Sequence, residues 1–174
     1  MSVWSGEEVS RFCEKVAKIN PNGIDLTPLA VFQIPEENVV IICGEDRGFL
    51  VDEWVVKHTE RKVEIRPITR LGRKIYFLEK GIYEIRLPRI EIPATATGFC
   101  YPRSSFARLG VIKSQTAVFD SGYKGEGSQT FFFPGTAIIG VDEAWVQMVF
   151  IDNKTAVKGT GYDGKYQGEK ADGK

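Results

Sequence analysis

From Val39 to Ile151 the chain is a run of short apolar or alternating segments, each cut off by glycine, proline or an acidic turn. That punctuation points to a β-sandwich or barrel. Val39-Val-Ile-Ile-Cys43 is an apolar run ended by Gly44, and Val63-Glu-Ile-Arg66 alternates. Tyr83, Ile85 and Leu87 alternate with Glu84 and Arg86, which predicts one buried face and one wet face. Thr130-Phe-Phe-Phe133, Ala137-Ile-Ile139 and Ala144-Trp-Val-Gln-Met-Val-Phe-Ile151 follow, separated by Pro-Gly and Val-Asp-Glu turns. The aromatic residues here read as core rather than as ligand-stacking groups.

The two ends differ from this pattern. Residues 5 to 19 read as a short N-terminal helix. Ser5 and Glu8 form a capping box, and Val9, Phe12, Cys13 and Val16 share one apolar face. Asn20-Pro-Asn-Gly23 stops that helix and turns the chain. Residues 159–174 are rich in glycine and hold no large aliphatic side chain, so composition alone offers nothing to order them. A frayed terminus and a tail that closes over a ligand both fit, since the segment carries Tyr162, Lys165 and Tyr166. No internal repeat or linker divides the rest, so we expect one domain over residues 1–158 followed by a flexible tail.

With 174 residues and 43% hydrophobic content, the chain suits one domain with a real core. Its 23 basic and 23 acidic residues cancel, which argues against genomic DNA or RNA as the main partner. Cys13, Cys43 and Cys100 are widely spaced and form no CxxC pair, and His58 is the single histidine. That set makes no zinc site and gives a histidine-based triad little to rest on. We expect buried, reduced thiols and a surface His58. No apolar run is long enough to span a bilayer, and the first residues lack a signal peptide's basic flank and apolar block. The expectation is a cytoplasmic protein. Residues 45 to 69 match no motif, and Trp54 within them reads as packed.

Two stretches carry the chemistry. Tyr101-Pro-Arg-Ser-Ser-Phe-Ala-Arg-Leu-Gly110 sets Arg103 and Arg108 around Ser104 and Ser105 beside a turn. Guanidinium forks and hydroxyls are what phosphate oxygens need, although a solvated turn with two surface arginines has the same sequence. Thr116-Ala-Val-Phe-Asp-Ser-Gly-Tyr-Lys-Gly125 offers Asp120 and Tyr123. Asp120 is either a turn residue or a base that holds and deprotonates a water. Tyr123 either covers an apolar edge or packs under a deoxyribose.

Together these stretches resemble the trimeric dUTPase and dCTP deaminase superfamily, from about Asn22 onward. Asn22-Gly-Ile-Asp-Leu26 resembles its first motif. Gly81-Ile-Tyr-Glu-Ile-Arg, Ile92-Pro and Pro102-Arg-Ser-Ser-Phe-Ala-Arg-Leu-Gly110 resemble the next stretch. The segment from Thr116 to Glu126 resembles the central hairpin. Gly140-Val-Asp-Glu-Ala-Trp-Val-Gln147 resembles the fourth motif, and Tyr162 with Lys165-Tyr-Gln-Gly168 the closing segment. The resemblance implies a distorted jelly-roll β-barrel and a homotrimer with active sites between subunits. It implies phosphate binding by Arg103, Ser104, Ser105, Arg108 and Lys165, with Gln147 near the α-phosphate. It implies pyrimidine and sugar contacts from Gln115, Thr116, Ala117, Tyr123, Tyr162 and Tyr166. Mg²⁺ would bind mainly the triphosphate rather than the protein.

The superfamily runs two reactions, and the residues divide between them. Ser-Ser after Arg103 and the Lys-Tyr-Gln-Gly tail resemble the zinc-independent deaminase branch, whereas Tyr123-Lys-Gly-Glu126 resembles the dUTPase form. The glutamate that shuttles protons in the deaminases is Thr130 here, which removes a chemical step. Glu126 lies four strand residues away, roughly 13 Å, too far to stand in. The expectation is therefore dUTP diphosphatase, with Asp120 activating water against the α-phosphorus. The alternative is a dCTP deaminase, alone or bifunctional. A third reading is a deoxynucleotide-binding protein that turns nothing over.

Overall fold

Among the described residues every strand pairing is antiparallel, as short strands joined by tight turns require. The computed structural model describes residues 2–34, 40–42, 48–51, 54–56, 62–114, 118–153, 161–164 and 166–168, with backbone alone for 40–42, 48–51 and 54–56. A four-stranded sheet runs in the order β1 (Val16–Asn20), β2 (Gly23–Leu26), β15 (Val146–Asp152), β11 (Ala96–Pro102). A five-stranded sheet runs β12 (Ile112–Lys113), β13 (Lys124–Phe133), β10 (Gly81–Glu91), β3 (Ala30–Ile34), β7 (Val63–Glu64). Two three-stranded sheets complete the set: β14 (Ala137–Gly140), β9 (Arg73–Leu78), β8 (Ile68–Arg70), and β4 (Val40–Ile42), β5 (Gly48–Val51), β6 (Trp54–Val56). The last sheet lies largely in the stretch that matched no motif. Two short helices, α1 (Gly6–Ser10) and α2 (Ser104–Arg108), are the only ones described. The chain is mainly β and jelly-roll-like, and no closed barrel forms among the described residues.

Alternation builds the core. On β13 the buried positions are Gly125, Gly127, Gln129, Phe131 and Phe133. On β10, Tyr83, Ile85 and Leu87 face the same interior. Trp145 lies at the centre, fully buried, with ring centroids of Phe106, Phe131 and Phe133 at 5.4, 5.5 and 5.6 Å. Each large side chain buried in this way contributes roughly 1.5–3 kcal/mol.

Two expectations are corrected. The helix does not run from 5 to 19 but ends at Ser10, and Val16–Asn20 is strand. The capping box forms as read, with the Ser5 hydroxyl accepting from Glu8 N–H and Glu8 accepting from Ser5 N–H. Beyond it, strand β10 recruits the backbone: Cys13 bridges Ile90, Glu14 N–H donates to Arg89 C=O, and Lys15 takes a φ of 48°. The apolar set of Val9, Phe12, Cys13 and Val16 still reaches the core, so burial was legible although helical continuation was not. The second correction concerns Glu84 and Arg86, expected wet and found 7% and 4% exposed. Lys62, just before β7, bonds Glu84 Oε2, and Arg86 Nε lies 3.2 Å from Glu84 Oε1. Pairing is what lets these charges leave water.

The N-terminus is tied down by Asp152, whose carboxylate accepts from the Ser2 hydroxyl and the Trp4 indole N–H; these bonds hold its pKa below the usual range. Cys13 and Cys100 are free and half-buried, and burial pushes both thiols up to about 12, so neither is a thiolate at neutral pH. Cys43, His58 and the side chain of Trp54 lie outside the described residues. Among the described residues no helix is long and apolar enough to cross a membrane.

Gly23 sets how closely β2 approaches β15. Its φ is 103°, and an added Cβ would stand 2.2 Å from the Met148 carbonyl oxygen. Gly23→Ala is therefore expected to lower unfolding free energy by about 2–4 kcal/mol, read as a lower urea midpoint with unchanged slope.

Candidate functional site

The phosphate-type residues gather where β11 ends. Arg103 follows that strand and opens α2, with its N–H donating to Trp145 C=O at 2.9 Å. Its side chain is held from two sides, by Asp25 Oδ2 at 3.1 Å from Nε and by Glu143 Oε1 at 2.7 Å from Nη1. Asp25 is 5% exposed, and its other oxygen accepts from Asn20 Nδ2 at 2.8 Å. Gln147 lies in register with both Asp25 and Tyr101, and its Nε2 donates to Asn22 C=O at 3.0 Å. Ser104, Ser105 and Arg108 are exposed along α2, and Phe106 pins that turn of helix to the core. Among the described residues none of the three side chains makes a hydrogen bond or ion pair, which leaves them available to an anion.

The second group assembles at the opposite end of β11. Tyr123 N–H donates to Asp120 C=O at 3.0 Å and closes a turn whose third residue, Gly122, has a φ of 86°. The turn is fastened to the sheet. Phe119 and Gly98 exchange two backbone bonds of 2.9 Å, and the Ser121 hydroxyl donates to Ala96 C=O at 2.6 Å. Asn153 Nδ2 donates to that hydroxyl at 2.7 Å. Asp120 is exposed, and its carboxylate has no ion-pair or hydrogen-bond partner among the described residues. Tyr123 is 5% exposed, with ring centroids of Phe119 and Tyr162 at 5.3 and 5.6 Å. Within this chain its ring packs edge-on against both. Tyr162 and Tyr166 both pack against the core cluster beside it.

The expected site residues thus form two groups. Arg103, Ser104, Ser105, Arg108 and Gln147 share one end of β11; Asp120, Tyr123, Tyr162 and Tyr166 share the other. Gln147 sits opposite Tyr101, while Phe119 pairs with Gly98 and Ser121 bonds Ala96. From Thr97, between those anchors, to Tyr101 the strand covers roughly 13 Å. Gln115, Thr116, Ala117 and Lys165 lie outside the described residues.

Asp25, Glu143 and Gln167 were missed. Asp25 had a signal: one carboxylate inside the four-residue strand Gly-Ile-Asp-Leu, every residue of which is buried. Glu143 and Gln167 lie inside the fourth and closing motif stretches, but nothing local singles them out, since their partners, Arg103 and the backbone of Gly122 and Lys124, are distant in sequence.

The face of β13 that carries Thr130 also carries Glu126 and Ser128, and Glu84 on β10 stands directly opposite Thr130. Glu84 is taken up by Lys62 and Arg86. One oxygen of Glu126 is buried without a hydrogen-bond partner. Among the described residues no three His, Cys, Asp or Glu side chains converge in a way that would hold a metal ion.

Known proteins bear on this arrangement. A family model described as dCTP deaminase-like matches residues 5–152. The probable deoxyuridine 5'-triphosphate nucleotidohydrolase of Halobacterium salinarum is 32% identical over 172 residues, covering 96% of this chain and 94% of that one. The deoxyuridine 5'-triphosphate nucleotidohydrolase of Methanocaldococcus jannaschii is 30% identical over 152 residues, covering 87% of this chain and 88% of that one. Among solved structures, the 2'-deoxycytidine 5'-triphosphate deaminase from Agrobacterium tumefaciens superposes over 85% of this chain with a TM-score of 0.57 at 14% identity. This chain spans 46% of the deaminase, and the likeness is one of fold.

The two carboxylates on Arg103 differ in burial, 6% exposed for Asp25 and 50% for Glu143, and that difference sets their worth. Asp25→Ala is expected to destabilise the fold by about 2–4 kcal/mol, because it removes the buried partner of Arg103 and the acceptor of Asn20 Nδ2 and leaves a gap in a fully buried strand. Glu143→Gln should cost less than about 1 kcal/mol, and parallel urea denaturation of the two variants checks the contrast.

Proposed function

Because the chain belongs to the dCTP deaminase-like family, we propose that it is a dUTP diphosphatase, converting dUTP and water to dUMP and pyrophosphate. Similarity over nearly the whole chain to archaeal proteins named for that activity supports the reading. The observation that carries it is the pairing state of the carboxylates. Asp120 is exposed and uncommitted among the described residues, as a base for water must be. Where deamination needs a proton shuttle, the chain offers Thr130, and the carboxylate across from it, Glu84, is held by two cations. A carboxylate so paired is committed to the sheet face rather than to a substrate.

In this mechanism Asp120 takes a proton from a water whose oxygen attacks the α-phosphorus. The bond from that phosphorus to the bridging oxygen breaks, and pyrophosphate leaves with the electron pair. Arg103, Ser104, Ser105 and Arg108 hold the phosphate oxygens, with Gln147 beside the α-phosphate. Asp25 aims Arg103, so the guanidinium is set before substrate arrives. Tyr123, Tyr162 and Tyr166 line the sugar end, and the segment from Gln115 to Ala117 reads the pyrimidine edge. Lys165 comes from the tail to the phosphates. Mg²⁺ would be held mainly by the triphosphate's own oxygens and by water rather than by a protein cage, and there it would offset phosphate charge. The reaction belongs to the cytoplasm.

The same reading requires a second copy of the chain. Asp120 and Gln147 both belong at the α-phosphate, yet roughly 13 Å of β11 separates their anchors, more than one water and one phosphorus can bridge. A homotrimer that sets the Asp120 end of one subunit against the Arg103 end of the next brings the halves together.

Two measurements test this. Asp120→Asn is expected to bind dUTP with near-unchanged affinity and to lose at least about a thousandfold in kcat, with ion-exchange chromatography following dUMP. Wild-type turnover by that variant, or dUTP formed from dCTP by the native chain, would overturn the mechanism. Mixing refolded Asp120→Asn and Arg108→Ala chains, each inactive alone, should restore part of the activity. Absence of any recovery in verified mixed oligomers would sink the shared site.

A further inference from the structure

The tail segment between Gly161 and Gly168 grips the turn that carries Asp120, and it does so through backbone groups of that turn. Tyr162 N–H donates to Ser121 C=O at 2.8 Å, and Gly168 N–H donates to Lys124 C=O at 2.6 Å. Between these contacts Gln167 makes a two-pronged contact: its Oε1 accepts from Lys124 N–H at 2.8 Å, and its Nε2 donates to Gly122 C=O at 3.0 Å. A carboxamide is suited to this because it sets an acceptor beside a donor. A carboxylate lacks the donor and an ammonium lacks the acceptor. Gly161 fits closely at the other end of the segment, with a φ of 77° and room for no Cβ, which would stand 2.7 Å from Ser121 O. The anchored segment places the Tyr162 ring edge-on against Tyr123, and the Tyr162 hydroxyl accepts from Tyr166 N–H at 3.3 Å.

We propose that Gln167 is a positioning residue. Its carboxamide fastens the C-terminal segment to the Gly122–Lys124 backbone, and so holds Tyr162 and Tyr166 at the nucleoside end of the site. It touches the turn and not the reacting atoms, so it acts on substrate affinity rather than on the chemical step. The proposal rests on the dUTP-hydrolysing reading of the Asp120 turn. Its reach across from the tail to a separate loop is what distinguishes it from a solvated surface glutamine. Because the side chain is exposed, two such bonds are worth about tenfold in the equilibrium between docked and released tail.

The test uses the full chain with Gln167→Ala and Gln167→Glu, the latter retaining size and the acceptor while removing the donor. Both are expected to raise KM for dUTP by roughly tenfold with kcat within about twofold, and to speed tryptic cleavage after Lys165, while the thermal midpoint stays at the native value. Unchanged KM, with cleavage either fast or slow, would overturn the positioning role. So would a fall in kcat at constant KM. If the native chain hydrolyses no dUTP, the functional reading fails separately. Cleavage rate and the Kd for α,β-imido-dUTP then decide the tail inference. Weaker binding with faster cleavage supports it, and native values for either overturn it.

Discussion

Trp145 is where the core and the site meet. Its indole is fully buried among Phe106, Phe131, Phe133 and Tyr76, so its position is set by close packing from several elements. Its backbone faces the site. Trp145 N–H donates to Leu26 C=O at 3.1 Å, one residue from Asp25, and its C=O accepts from Arg103 N–H. Asp25 and Arg103 are therefore placed by the same residue that organises the aromatic core. A shift of the indole would move both members of the ion pair. Phe106 adds to this coupling, since the helix that displays Ser104, Ser105 and Arg108 is pinned through its ring to Trp145.

Burial divides the carboxylates of this chain into tasks. Asp25 and Glu84 are buried and committed to cations, and their role is to set the positions of Arg103 and of the β10 face. Asp120 has the opposite surroundings, an exposed turn held by backbone bonds on either side. The protein thus spends its rigidity on the turn and leaves the carboxylate itself open. On the proposed reading this division also favours hydrolysis over deamination. The deaminase step needs an acid and base at the Thr130 position, and the carboxylate across the ladder is bound up in structure.

Strand β11 sets the scale of the site. Its start anchors the Asp120 turn through Gly98 and Ala96, and its end delivers Arg103. Since an extended strand has a fixed rise, the two groups lie too far apart within one chain to share an α-phosphate in the manner proposed. That length calls only for a second copy of the chain; the number three comes to the proposal from the resemblance. The tail obeys a similar logic. Its composition offers no core of its own, and its described residues are placed by Tyr162 and Tyr166 packing on, and Tyr162, Gln167 and Gly168 bonding to, residues far away in sequence.

What was legible without coordinates was local or patterned. Alternation on β10 predicted the burial of Tyr83, Ile85 and Leu87, and the Ser5–Glu8 box predicted the start of α1. These follow from side-chain periodicity and short-range hydrogen bonding, which a sequence carries in full. The end of α1, the burial of Glu84 and Arg86, and the separation of the candidate residues into two groups came from the tertiary structure. Each depends on a partner remote in sequence: Arg89 and Ile90 for the chain after Ser10, Lys62 for Glu84, and the span of β11 for the site. Sequence by itself determined the fold class, the aromatic core and the chemical inventory, because those are sums over residues and their nearest neighbours. The tertiary structure alone decided which charges are committed and which functional groups can meet, because those depend on distances that only the packed sheets define.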